Sequence, residues 1–392
     1  ELLRYVEFEP KRLVARYREK VRAAGLEGKD KAACLQALEG GLSGTTFLDD
    51  DYLSNNHCWS TVPGAIDICF APNRGEDAAT INNPSLVTEE GRREETVTMK
   101  TGVIGLGAMG TPMTRNLHKA GYLKAVWNRS RDKAEQLSTE LGVRVAENPA
   151  ALAADCELLV LSVSADDDLL QVVRLLSPGL HPGCVLLDTS TISRETAIQA
   201  AALAHPAAFL DAPVSGGIEG ARQGTLAMMV GGEAAVIERI MPVLDSIAGR
   251  IEHMGPVGAG QATKAVNQVM AAGINQAVTE ALAFATALQL PLERVIEVVG
   301  SGAAGNWFLE HRGASMTAGQ FDPGFRVALH HKDMVICRQM AECFDVALPV
   351  VEMTLIHYRR LMEAGYGDED ISALFREKLA LFKQAHATPK QT

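Results

Sequence analysis

Lys264, Asn267 and Gln268 are the residues best equipped to act on a small molecule. They stand three and four positions apart in Gly258-Ala259-Gly260-Gln261-Ala262-Thr263-Lys264-Ala265-Val266-Asn267-Gln268, so on a helix they share one face. Their surroundings are otherwise Ala, Val and Met, and polar groups there call for a reason. A lysine in this setting exchanges a proton with a substrate oxygen, and partial burial would bring its pKa toward neutrality. Asn267 or Gln268 would hold the same substrate by hydrogen bonds. A solvated face at a helix start is the alternative use of the three.

Two other stretches offer backbone rather than side-chain chemistry. In Asp211-Ala212-Pro213-Val214-Ser215-Gly216-Gly217, a strand end runs into Ser215-Gly216-Gly217. Consecutive N–H groups and one hydroxyl make a small anion nest suited to a substrate carboxylate; a plain glycine turn between strands is the other reading. The run Gly105-Leu106-Gly107-Ala108-Met109-Gly110 follows a short apolar strand and precedes an amphipathic helix. The glycines let the backbone turn sharply and approach a dinucleotide pyrophosphate, which then meets the positive helix N-terminus. Lys332, in His330-His331-Lys332-Asp333, closes over that cofactor or is a solvated helix residue.

After the second strand comes Asn128-Arg129-Ser130. NAD-binding proteins usually place Asp or Glu there for the ribose 2′-hydroxyl. An arginine and a hydroxyl would instead hold a 2′-phosphate by charge-assisted hydrogen bonds. NADP(H) is therefore the expected cofactor, with NAD(H) possible if Arg129 is merely a solvated residue.

The elements that must position these groups alternate in type, which implies a parallel sheet with crossover helices, an α/β Rossmann-type domain. Strands are expected over 102–104, 125–127, 158–163, 185–188, 208–211 and 226–230, with helices over 112–120 and 132–141. A long Ala-rich helix is expected over 262–290, stopped by Pro291, and only helical patterns follow: 292–299, 326–344, 349–364 and 371–384. The domains are thus 99–262, binding the nucleotide, and 263–388, all-helical and serving the substrate and dimerisation. Residues 1–98 read as an extension without activity of its own, helical over 1–37 and a linker or disordered stretch over 49–98. Met99 stands just before the first strand and reads as the start of the functional protein.

The 392 residues carry a net charge of −11, which argues against nucleic acid as a partner. No secretory leader is expected, and no apolar run reaches membrane-spanning length. The seven cysteines show no CxxC spacing, which reads as reduced thiols in a cytoplasmic protein without a metal site.

Four stretches in order, Gly105 to Gly110, Asp211 to Gly217, Gly258 to Asn267 and Lys332-Asp333, resemble the β-hydroxyacid dehydrogenase family, whose members include 3-hydroxyisobutyrate dehydrogenase and tartronate semialdehyde (2-hydroxy-3-oxopropionate) reductase. The resemblance implies hydride transfer between NADP(H) and a small 3-hydroxy acid or semialdehyde, with Lys264 as the catalytic lysine. It implies that Ser215, Gly216, Gly217 and Asn267 bind substrate and that Val163, Ser164, Thr191 and Lys332 meet the cofactor. The family commonly has Leu-Pro where this chain has Val163-Ser164. It further implies a weak strand near Arg144-Val145 and a homodimer or homotetramer. The run from Phe321 to Arg326 leans toward tartronate semialdehyde reductase, Ser215 to Ala221 toward hydroxyisobutyrate dehydrogenase, and Asn128-Arg129-Ser130 toward NADPH-dependent glyoxylate and succinic semialdehyde reductases. Imine reductases share the architecture but typically lack the lysine. A non-catalytic cofactor-binding interaction module is the rival of another class. Residues 2–48 weakly resemble the C-terminal end of biosynthetic arginine decarboxylases.

Overall fold

The computed structural model describes residues 99–387; the expectations for residues 1–98 lie outside the described residues. Nine strands form one sheet: β1 Thr101–Ile104, β2 Leu123–Trp127, β3 Arg144–Val145, β4 Leu158–Leu161, β5 Val185–Asp188, β6 Ala208–Asp211, β7 Val214–Ser215, β8 Leu226–Gly231 and β9 Ala248–Gly255. Their order is β3-β2-β1-β4-β5-β6-β8-β7, with β9 also on β8. The pairs from β3 through β6 are parallel, and β8 meets β6 and β7 antiparallel.

The parallel strands are apolar on both faces because helices cover both. Their period of two divides one run between two cores. Val103, Val126, Leu158, Val160, Val185 and Leu187 face one layer. Ile104, Ala125, Leu159, Leu161 and Leu186 face the other. Each fully buried aliphatic side chain contributes about 1.5–3 kcal/mol. The strand order reverses between β1 and β4, and loops at such a switch point part to leave a ligand crevice.

The long helix runs Ala259–Ala287, beginning three residues before the expected start and ending three before the expected stop. At a rise of 1.5 Å per residue it is about 43 Å long. Helices Leu292–Gly300, Trp307–Thr317, Val327–Glu342, Pro349–Glu363 and Leu374–Ala387 follow. One core lies around Val278, Leu282, Met316, Tyr358, Leu361 and Leu374. A smaller one joins Ala272 on the long helix to Met334, Cys337, Val351 and Leu355. No helix among the described residues is long and apolar enough to cross a membrane.

Candidate active site

The turn after β1 shows why its glycines are where they are. Gly105 sits at φ +94°, and a Cβ there would collide with the Ser162 carbonyl after β4. A Cβ on Gly110 would strike the Gly105 carbonyl, so the helix Gly110–Lys119 packs directly on the turn. A Cβ on Gly107 would meet nothing within 4 Å. Two glycines close the turn and the third opens it to an approaching group, the division of labour a pyrophosphate cradle needs. The helix has no side-chain cap and no acid in its first turn, leaving its first N–H groups for an anion. Leu106 is buried, Met109 half-buried, and Gly107 and Ala108 face solvent. These residues fit a dinucleotide.

Asn128 has a role the sequence did not suggest. Its Oδ1 accepts the Leu106 N–H at 2.9 Å and its Nδ2 donates to the Ser130 carbonyl at 2.9 Å, so the amide ties the end of β2 to the glycine turn. Arg129 is 78% exposed and pairs with Asp168 Oδ1 at 2.8 Å. Ser130 is exposed and N-caps the helix Arg131–Leu141 without a side-chain bond. After β4, the Val163 N–H donates to Ser190 Oγ at 2.8 Å, and Ser164 is exposed.

The two motifs expected to meet the substrate are joined through Asp211. Its Oδ1 accepts the Gly258 N–H at 2.7 Å and its Oδ2 the Gln261 N–H at 2.8 Å, so the end of β6 caps the long helix. A Cβ on Gly231 or Gly260 would intrude on that carboxylate. Gln261 then reaches across, its Nε2 donating to the Ser190 carbonyl at 2.8 Å and its Oε1 accepting the Ile192 N–H at 3.2 Å. Burial raises the Asp211 carboxyl pKa, opposed by these N–H donors. Its register partner on β5 is Asp188, also fully buried. Asp188 Oδ1 accepts the Ser190 N–H at 3.1 Å, its Oδ2 has no hydrogen-bond partner among the described residues, and burial pushes its pKa up to about 7.

This scaffold sets Lys264 one turn into the long helix. Lys264 is 7% exposed, and its Nζ donates to the Val214 carbonyl at 2.8 Å, one residue before Ser215. Burial lowers its pKa to about 8, against the pull of Asp333. One turn on, Asn267 Oδ1 lies 3.5 Å from Ser215 Oγ. Gly216 at φ +124° and Gly217 at φ +62° follow Ser215, both exposed and both in backbone regions that favour glycine. Lys264, Asn267 and Ser215 to Gly217 are therefore gathered in one place.

Gln268 is there too, but in a supporting place. It is 2% exposed; its Oε1 accepts from Asn267 Nδ2 at 2.8 Å and its Nε2 donates to Asp333 Oδ2 at 2.6 Å. Both ends of the amide are engaged by protein, and Gln268 supports the Asn267 side chain. Lys332 donates to the Thr191 carbonyl, and its Nζ lies 3.0 Å from Asp333 Oδ1. The family resemblance implies that Thr191 and Lys332 each meet the cofactor. The structure joins them to one another, tying the helical region to the loop after β5.

A model of the NAD-binding domain of 6-phosphogluconate dehydrogenase matches residues 100–255. A model described as the NAD-binding domain of NADP-dependent 3-hydroxyisobutyrate dehydrogenase matches residues 258–377. The arginine decarboxylase C-terminal helical extension matches residues 1–48. An uncharacterized oxidoreductase of Shewanella frigidimarina is 39% identical over 280 residues, 70% of this chain and 96% of the relative. The 2-hydroxy-3-oxopropionate reductase of Escherichia coli is 37% identical, covering 64% of this chain and 87% of the relative. The structure of a Mycobacterium tuberculosis 3-hydroxyisobutyrate dehydrogenase with L-serine superposes with a TM-score of 0.65 at 30% identity, over 72% of this chain and 99% of that one.

Proposed function

Because the chain belongs to the β-hydroxyacid dehydrogenase family of NAD(P)-dependent oxidoreductases, we propose that it acts on a small 3-hydroxy acid and its semialdehyde, of 3-hydroxyisobutyrate or 2-hydroxy-3-oxopropionate type, with NADP(H) as cofactor and Lys264 as general acid and base. The observation that carries this reading is Lys264 itself, buried beside Ser215 and Asn267 with its pKa near 8. At neutral pH such an amine both gives and takes a proton readily.

The chain's own residues divide the work. Gly105, Gly107 and Gly110 admit the pyrophosphate, with Leu106, Ala108 and Met109 completing the turn and Val163, Ser164, Thr191 and Lys332 standing at the crevice. Ser215, Gly216 and Gly217 take the substrate carboxylate. Asn267, oriented by Gln268, holds the substrate oxygen near Lys264 Nζ. Lys264 donates a proton to that oxygen during reduction and removes it during oxidation. The nicotinamide, when bound, supplies or accepts the hydride.

NADP(H) is supported by Arg129. Its surface ion pair with Asp168 is worth about 0–1 kcal/mol, so releasing the guanidinium to a phosphate costs little. The same turn supports a second reading, an NADPH-dependent glyoxylate or succinic semialdehyde reductase. The domains proposed are 99–262 and 263–388, though the long helix starts at Ala259. Residues 1–98 are proposed to add no activity, and the assembly is proposed to be a homodimer or homotetramer.

The experiment is initial-rate turnover of a panel of 3-hydroxy acids, semialdehydes, glyoxylate and L-serine with NADP(H) and NAD(H). Turnover of a three- or four-carbon 3-hydroxy acid or its semialdehyde with NADP(H) preferred is expected. Preference for glyoxylate or succinic semialdehyde selects the second reading, and clear preference for NAD(H) refutes the cofactor assignment.

A further inference from the structure

A buried polar chain reaches the back of the Lys264 turn from the helical core. Asn275, on the long helix, donates from Nδ2 to the Ile371 carbonyl at 2.9 Å and to Tyr358 Oη at 2.9 Å. A carbonyl only accepts, so the Ile371 contact fixes which end of the amide faces Tyr358. Tyr358 Oη thus accepts from Asn275, and its own hydrogen points to His330 Nδ1, 2.9 Å away. His330 Nδ1 is then an acceptor, and the neutral ring carries its hydrogen on Nε2, which faces the Gln268 carbonyl at 3.4 Å.

Asn275, Tyr358 and His330 are each at most 1% exposed, so no solvent competes for these bonds. Burial lowers the His330 pKa to about 4, which keeps the ring neutral at pH 7. His330 and Asp333 are three residues apart on the helix Val327–Glu342 and share one face. From that face His330 reaches the Gln268 backbone while Asp333 takes the Gln268 side chain at 2.6 Å.

We propose that His330 is a positioning residue, held by Tyr358 as the Nε2–H tautomer, which with Asp333 fixes Gln268 and through it the turn that presents Asn267 and Lys264. The kinetic consequence rests on the reading that this turn faces the substrate; the tautomer does not.

The test joins NMR with kinetics on the full chain. In the ¹⁵N-imidazole spectrum at pH 7, His330 is expected as a single Nε2–H tautomer. In Tyr358→Phe, which keeps the ring but removes the donor, His330 is expected to become a mixture. One lost hydrogen bond near the substrate turn raises the KM of the hydroxy acid about five- to tenfold, with the KM of NADP(H) unchanged. His330→Gln, which retains a side-chain N–H donor, is expected to hold a lower KM than His330→Leu. A role in packing alone would lower the melting temperature of Tyr358→Phe and move neither the spectrum nor KM. An Nδ1–H tautomer or an imidazolium in the wild type, or an unchanged KM in folded Tyr358→Phe and His330→Leu, overturns the proposal. The spectrum needs no substrate, so a failed substrate assignment is separable from a failed tautomer.

Discussion

Asp211 and Gln261 lie fifty residues apart in sequence, and the Asp211 carboxylate accepts the Gln261 backbone N–H at 2.8 Å. With the Gly258 N–H on its other oxygen, one buried side chain locks the strand leading to Ser215 onto the helix carrying Lys264. Asp211→Ala leaves two buried N–H groups unpaired and is expected to cost about 3 kcal/mol of stability, read by urea unfolding. Asp211→Asn keeps one acceptor and is expected to fall between. Because the cap sets the distance from Ser215 to Lys264, the substrate KM rises in both variants. Wild-type stability in Asp211→Ala would contradict this role.

Asp188, the neighbour of Asp211 across the sheet, makes stability depend on pH in an unusual direction. Its folded pKa of about 7 lies above the ordinary carboxylate range. The folded state therefore holds this proton where the unfolded state has lost it, and stability falls as pH rises from about 4 to 7. Asp188→Asn removes the buried charge, so its melting temperature is expected to exceed that of wild type by clearly more at pH 8 than at pH 5. Parallel melting curves at both pH values would show that the unpartnered Oδ2 carries no such cost.

Lys264 gives the two directions of turnover opposite pH profiles. Its pKa of about 8 predicts that kcat/KM for reduction, which needs the ammonium, declines as pH rises through 8. Oxidation, which needs the free amine, climbs through the same region. Initial rates from pH 6 to 10 in each direction check this. Profiles running in the same direction would remove Lys264 from the proton transfer.

Arg129 should govern cofactor choice without touching the chemistry. Losing one or two charged hydrogen bonds to a 2′-phosphate costs about 1.5–3 kcal/mol, so Arg129→Ala is expected to lower kcat/KM for NADPH about ten- to a hundredfold. The value for NADH should scarcely move. Equal losses with both cofactors would assign Arg129 to something other than the 2′-phosphate.

The parts of the fold legible in the sequence were those with strong periodicity. The buried strands β1, β4, β5 and β6 announced themselves as apolar runs, and the long helix as Ala-rich sequence without proline. β9 did not, because most of its side chains are exposed and show no alternation. β3 and β7 are two residues each, too short to hold a pattern. At the site, Lys264, Asn267 and Ser215 stood out by residue type and motif. The work of Asn128, Asp211, Gln268 and His330 was not visible, since each acts through a partner 22 to 65 residues away. Gln268 shows the limit of helical-face reasoning, which cannot see that Asp333 from another helix takes its amide.

The central claim is that Lys264 moves the proton. It is tested most directly by kcat of Lys264→Ala with saturating NADPH and the best semialdehyde of the panel. Loss of a positioned general acid lowers kcat on the order of 10²–10⁴-fold, while NADPH still binds in a fluorescence titration. A kcat within about tenfold of wild type would contradict the account.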